Sequence, residues 1–353
     1  MTHRIGPALL LVALLVRVFT LADAPTAAGA TQRPTPSAPP VPTELSHRVT
    51  QTATVSFRSS PAALDHTTLP STAPPIAPPP SPEPSKLPLS NVSYGPEAAH
   101  RLDIHPPVEP NGLAVLWLHA GGWTSGDRTG TGPVAAQLVA DGAIVFSADY
   151  RLTPDHVFPA QIHDVKRAIR WIKCHQSDFP HRRLVVAGAS AGGHLAALAA
   201  TSAGALEPTD LPPELAAHDS SVDGAVSLSG PMDLTRFWQA DHPWARPLSD
   251  RFLDCDSTTC GQDWMLEASP AHWVDPTDPP LYLAAGTADT LVTAADNADR
   301  MWDVVQAQGD PARCHYDRVD DGTHNLWDTL DLTGLRRFLA NFDLVLPAVT
   351  VSV

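Results

Sequence analysis

Leu184–Thr201 reads LVVAGASAGGHLAALAAT, and no other stretch limits the possible folds so tightly. A short apolar run rich in valine passes through glycine, alanine and serine straight into a stretch with helical spacing. A strand that turns directly into a helix through such small residues leaves no room at the turn for larger side chains. A strand followed at once by a helix belongs to a crossover unit, and crossover units build parallel sheets.

The rest of the chain from about residue 91 keeps that rhythm. Leu113–Leu118 (LAVLWL), Ala143–Ala148, Leu184–Ala187, Gly224–Leu228, Leu281–Ala285 and His315–Val319 are short apolar runs, as strands covered on both faces should be. Between them, helical spacing runs through Pro133–Ala140, Pro159–Cys174, Ala191–Thr201, Thr293–Gln308 and Leu326–Phe342. Val92–Tyr94 and His100–Ile104 resemble a short antiparallel opening pair. The expected fold class is α/β, with a mostly parallel central sheet and helices on both faces. Residues 231–280 break the pattern. They hold Trp238, Trp244, Trp264, Trp273, Phe237 and Phe252 without a clear strand, which suits a small cap or pocket-wall insertion. An ordinary long crossover with an aromatic core is the other reading.

Fifteen of the 37 prolines fall within residues 31–90, among Ala, Ser and Thr. Too few apolar side chains remain there to offset the entropy of ordering the chain, so the segment reads as an extended tether. That leaves residues 91–347 as one catalytic-size domain. A net charge of −15 argues against nucleic acid or an anionic membrane surface as partner.

At the N-terminus His3 and Arg4 precede an apolar run, Ile5–Val16, and small-residue sites follow at Ala22-Asp23-Ala24 and Ala28-Gly29-Ala30. This is the pattern of a secretory signal peptide over residues 1–30, which would make the protein secreted or extracytoplasmic. Left uncleaved, Ile5–Leu21 would act as an N-terminal membrane anchor. Export would place four cysteines in an oxidising compartment. Cys255 and Cys260, five apart in a polar turn-prone segment, are the expected local disulfide, and Cys174 with Cys314 the weaker second pair. Free buried thiols are the alternative. The cysteines lack the spacing of a zinc site, and no metal or organic cofactor is expected.

Gly188-Ala189-Ser190-Ala191-Gly192-Gly193 lies between a strand and a helix, the context that a nucleophile elbow needs. In that context Ser190 projects its hydroxyl at the top of the sheet, with helix N-terminal N–H groups aimed at the same spot. Upstream, His119-Ala120-Gly121-Gly122-Trp123 follows a strand directly. Glycines there let main-chain N–H groups approach a developing oxyanion, so Gly121 and Gly122, with the Ala191 N–H, are the expected oxyanion hole. His119 reads as a loop brace. Of sixteen histidines, His324 sits in a turn between the final strand and the final helix, and Asp289 follows the preceding strand. Ser190, Asp289 and His324 therefore occur in the order Ser…Asp…His. Asp320 and Asp321 are rival acids beside His324. Without chemistry, the glycine motifs would be tight turns.

Together, HAGGW, Asp149-Tyr-Arg151, HDVKRAIRWIK, GASAGGHLA, GTADTLV and DGTHN resemble the esterase/lipase branch of the α/β-hydrolase superfamily. The likeness is to hormone-sensitive-lipase-like and feruloyl-esterase-like carboxylesterases, and runs from about Tyr94 to Phe342. Ala120 departs from the glycine usual there. Asp149 and Arg151 resemble scaffold residues bracing the elbow, and His194 a structural one. The resemblance implies a serine carboxylesterase acting on a small-molecule ester of small or medium acyl length. Close alternatives are a polysaccharide acetyl or feruloyl esterase and a formamidase-type amidase. A non-catalytic binding module on the same fold is the reading from a different class. Asn91-Val-Ser93 matches a glycosylation acceptor, relevant only in a eukaryotic secretory route.

Overall fold

A computed structural model describes residues 88–255, 259 and 261–342. The expected signal peptide and almost all of the tether lie outside the described residues, as do residues 343–347 and Cys260.

Among the described residues, eight strands form one sheet: β1 Leu89–Ser93, β2 Arg101–His105, β3 Leu113–Leu118, β4 Ile144–Ala148, β5 Arg183–Ala189, β6 Gly224–Leu228, β7 Leu281–Gly286 and β8 Cys314–Val319. Their spatial order is β1-β2-β4-β3-β5-β6-β7-β8. The pairs β1/β2 and β2/β4 are antiparallel and every other pair is parallel. The expected tether thus ends slightly early, since Leu89 and Ser90 already belong to β1.

Strand pleating explains the two-sided burial. In β3, Leu113, Val115 and Trp117 face one apolar cluster, while Ala114, Leu116 and Leu118 face another. The first cluster is closed by α1 (Gly132–Ala140) and the last helix, and the second by α2 (Ala160–Cys174) and α3 (Ala191–Thr201). A short α4 (Pro213–Ala216) follows α3, a helix that no strong sequence pattern marks. Residues 231–280 fold into α5 (Leu234–Gln239), α6 (Ala245–Leu253), α7 (Gln262–Glu267) and a 3₁₀ turn at Pro270–His272. Phe237 and Phe252 from this segment are buried in the second cluster, whereas Trp244 is 62% exposed.

Two expected helices are shorter than their periodicity suggests. The helix expected from Thr293 begins only at Ala298, as α8 (Ala298–Gln308). Thr293 and Asp296 bond each other through their side chains, and Asn297 Nδ2 donates back to the Thr293 carbonyl, which closes a turn first. The expected Leu326–Phe342 helix divides into a 3₁₀ turn at Leu326–Asp328 and α9 (Thr333–Ala340). Asp331 accepts from both the backbone and the hydroxyl of Thr333, so the chain restarts its helix there.

The expected Cys174–Cys314 bridge is not formed, and both are free thiols. Cys174 ends α2, between the interior strands β4 and β5, whereas Cys314 opens the edge strand β8. β5 and β8 are three strand positions apart, so the two cysteines belong to elements that the sheet order keeps separate. Burial pushes the Cys314 thiol up to about 12. A thiol so raised holds little thiolate at neutral pH.

Candidate active site

After β3 the chain crosses to one side of the sheet to form β4, and after β5 to the other to form β6. The carboxyl ends of these two adjacent strands therefore open a crevice, where α/β sheets place their sites. Leu118 and Gly188 are register partners at that end.

Ser190 follows β5 directly, with φ +52° and ψ −119°, a conformation that non-glycine residues rarely adopt. Its N–H donates to the Leu228 carbonyl at 2.8 Å, and its carbonyl accepts from His194 N at 2.9 Å. The flanking glycines are a steric requirement. A Cβ on Gly188 would stand 2.5 Å from the Gly192 backbone, and one on Gly192 only 2.1 Å from the Leu118 carbonyl oxygen.

Asp289 lies in the turn after β7 and His324 in the turn after β8. These turns meet backbone to backbone: Ala288 N donates to the Gly322 carbonyl, and a Cβ on Gly286 would stand 2.0 Å from the same oxygen. His324 Nδ1 is 2.8 Å from Asp289 Oδ2, and His324 Nε2 is 3.0 Å from Ser190 Oγ. Nδ1–H donating to an acceptor carboxylate leaves the Nε2 lone pair for the serine hydroxyl. Asp289 is buried, and Trp327 packs edge-on against the His324 ring at 5.4 Å. The rival acids Asp320 and Asp321 are exposed, and the imidazole turns to Asp289 instead.

The glycine loop after β3 is held by its own carbonyl. Gly121 O accepts from Thr124 N and Ser125 N, each at 3.1 Å. Gly121 adopts φ +127° and Gly122 φ +60°, both in the region that glycine favours. Ala191 opens α3, so its N–H lies at a helix N-terminus, beside the serine. His119 is engaged by the loop itself. It stacks on Tyr150 at 4.2 Å, places Nδ1 against the Ala120 carbonyl, and burial lowers its pKa. It braces the loop, as the sequence suggested.

Asp149 and Arg151 brace something other than the elbow. Asp149 binds the backbone and guanidinium of Arg128, and Arg151 pairs with the buried Asp164 of α2, which also meets His100 at 2.8 Å. They tie the end of the glycine loop and α2 to the first strands. Two contacts had no sequence signal at all. Leu248 of α6 packs against Gly122, so close that a Cβ on that glycine would lie 2.8 Å from its Cδ2. The Trp123 indole meets His194 of α3.

A sheet of this order, with a serine after β5, an aspartate after β7 and a histidine after β8, defines an α/β-hydrolase. Residues 102–300 match the family described as BD-FAE, and the chain belongs to that family. Among curated proteins it is similar to the "Probable carboxylic ester hydrolase LipM" of Mycobacterium tuberculosis, with 34% identity over 212 residues, 57% of this chain and 48% of the relative. "Esterase LipQ" of the same organism is 32% identical over 216 residues, covering 59% and 50%. The chain spans about half the length of these relatives. Among solved structures it resembles a bifunctional GH43-CE protein of Bacteroides eggerthii, at TM-score 0.64 and 24% identity, covering 73% of this chain and 38% of that one. The apo form of Thermogutta terrifontis esterase 2 aligns at TM-score 0.56 and 22% identity, covering 71% and 91%. Likenesses at these identities speak to the fold alone.

Proposed function

We propose that this chain is a serine carboxylesterase that hydrolyses small or medium acyl esters through an acyl-enzyme. The observation that carries the proposal is the unbroken series from Asp289 through His324 to Ser190, with bonds of 2.8 and 3.0 Å, beneath a glycine loop. Ser190 Oγ attacks the acyl carbon while His324 Nε2 takes its proton, and Asp289 stabilises the imidazolium. The N–H groups of Gly121, Gly122 and Ala191 receive the oxyanion. Collapse breaks the bond to the alcohol, which leaves with the proton from His324. Water then repeats the sequence, releasing the carboxylic acid and restoring Ser190. The esterase names of the mycobacterial relatives support this reading.

A fluorophosphonate probe tests it. Ser190 should be labelled, and Ser190→Ala should fold normally yet lose hydrolysis of p-nitrophenyl acetate. Folded protein that takes no label would overturn the reading in favour of a non-catalytic module. Activity should be undiminished by EDTA.

Trp244 favours a second reading, an ester on a carbohydrate. It stands 62% exposed one helical turn from Leu248, on the segment that reaches Gly122, where an aromatic face can stack on a sugar ring. Residues 231–280 act in both readings as the pocket wall. Export by cleavage of the N-terminal segment and a Cys255–Cys260 bridge belong to the same proposal. Intact-mass analysis of the exported protein checks both, with the bridge present and the leader absent.

A further inference from the structure

Trp123 follows Gly122 with φ +59°, in a region where a bulky aromatic residue persists only if its surroundings hold it there. Its ring is enclosed, stacked on Phe252 at 4.4 Å and edge-on to His194 at 5.1 Å. The indole Nε1–H donates to His194 Nδ1 at 3.3 Å. The other nitrogen of that imidazole, Nε2, donates to the Ala268 carbonyl at 2.8 Å. An indole N–H can only donate and a carbonyl can only accept, so one neutral tautomer alone satisfies both bonds. His194 is fully buried, with Trp123, Phe252 and the Ala268 carbonyl around its ring, and burial pushes it down to about 4. It is therefore uncharged at neutral pH. The backbone N–H of His194 donates to the carbonyl of Ser190.

We propose that His194 is a positioning residue for the oxyanion hole: accepting from Trp123, it holds the glycine loop in register with Ser190. The ring joins three segments that the chain brings from far apart. One is α3, which carries the serine; the second is the loop that supplies the Gly121 and Gly122 N–H groups; the third is the end of α7. Losing the acceptor leaves a buried indole N–H unpaired beside a strained backbone, and the loop relaxes away from the position that receives the oxyanion. Substrate still binds in the ground state, and the loss falls on the transition state. The inference rests on the esterase reading.

Steady-state hydrolysis of p-nitrophenyl acetate tests it, with melting temperature followed for each variant. His194→Leu should lower kcat by about 10- to 100-fold, part of the ~10²–10³ that a whole oxyanion donor is worth, and move KM less than about threefold. His194→Gln, which keeps one acceptor and one donor, should recover much of the loss. Trp123→Phe keeps the ring and removes the N–H, so it should reproduce the fall in kcat. Combining Trp123→Phe with His194→Leu should cost no more than the larger single change, because both break one bond. The proposal fails if folded His194→Leu keeps its kcat, or if the two losses multiply. Should His194→Leu not fold, Trp123→Phe decides alone: an unchanged kcat overturns the proposal. An inactive wild-type protein would defeat the esterase reading and this inference with it. An active one with insensitive variants would defeat only the latter.

Discussion

The Asp289 carboxylate divides its two oxygens between its own turn and His324. Oδ1 accepts from Leu291 N and Val292 N at 2.9 Å each, while Oδ2 faces His324 Nδ1 at 2.8 Å. The turn thus aims the acid, and the acid aims the imidazole. Asp289→Asn should leave the fold intact, since an amide oxygen still accepts the two N–H bonds. The amide nitrogen would then face Nδ1 as a donor and select the wrong tautomer, so kcat should fall roughly 10⁴-fold. Single-turnover hydrolysis of an activated ester reads this directly.

The two loop glycines should respond differently to an added methyl group. On Gly121 a Cβ would stand 2.0 Å from the Ser125 carbonyl oxygen, which is backbone and cannot give way. On Gly122 it would meet Leu248 Cδ2 at 2.8 Å, the tip of a flexible side chain. Gly121→Ala should therefore lose about 10²–10³ in kcat. Gly122→Ala should lose less, about tenfold. Adding Leu248→Ala should restore part of the Gly122→Ala loss and none of the Gly121→Ala loss, as kcat/KM for p-nitrophenyl acetate will report.

In the proposed esterase, Leu248 would border the acyl group. It is half-buried on α6, against a glycine whose N–H is proposed to bind the ester oxygen. Leu248→Ala should shift preference toward longer acyl chains, and Leu248→Trp toward acetate. A hydrophobic pocket discriminates by about 1–3 kcal/mol per methylene, so hexanoate-to-acetate ratios of kcat/KM should move at least about tenfold in each direction. Ratios that stay flat in both variants would remove Leu248 from the pocket.

Acid should expose the cost of the buried His194. Its folded value of about 4 lies below the ordinary 6.5, so between those limits the unfolded chain binds a proton that the folded chain refuses. The stability from keeping this ring neutral is whole above about pH 6.5 and drains as pH falls toward 4. A gap of that size corresponds to on the order of 3 kcal/mol. Urea midpoints at pH 7 and pH 4.5 should therefore differ more in the wild-type protein than in His194→Gln, which has nothing to titrate there.

Much of this arrangement was legible from the chain. Strand–helix alternation follows from the spacing of apolar side chains, a local property, and Gly188 and Gly192 announce a turn that excludes a Cβ. The chain order of Ser190, Asp289 and His324 is also linear information. Periodicity overreached at Thr293 and Leu326, where side-chain bonds from Thr293, Asp296, Asn297 and Asp331 end or delay a helix whose pattern continues. It assigned Asp149 and Arg151 to the wrong neighbour, since a partner such as Arg128 or Asp164 is chosen by packing.

By itself, then, the sequence determined the sheet, the elbow and the identity of the three side chains that meet at the site. Those depend on local sterics and on the pleat of single strands. Only the tertiary structure decided that His324 turns to Asp289 rather than to Asp320 or Asp321. It alone set Leu248 against Gly122, and it alone closed the Trp123–His194–Ala268 series. Contacts between residues 71, 74 or 126 positions apart have no period to betray them. They arise when separate elements are pressed onto one sheet and each buried polar group must find a partner.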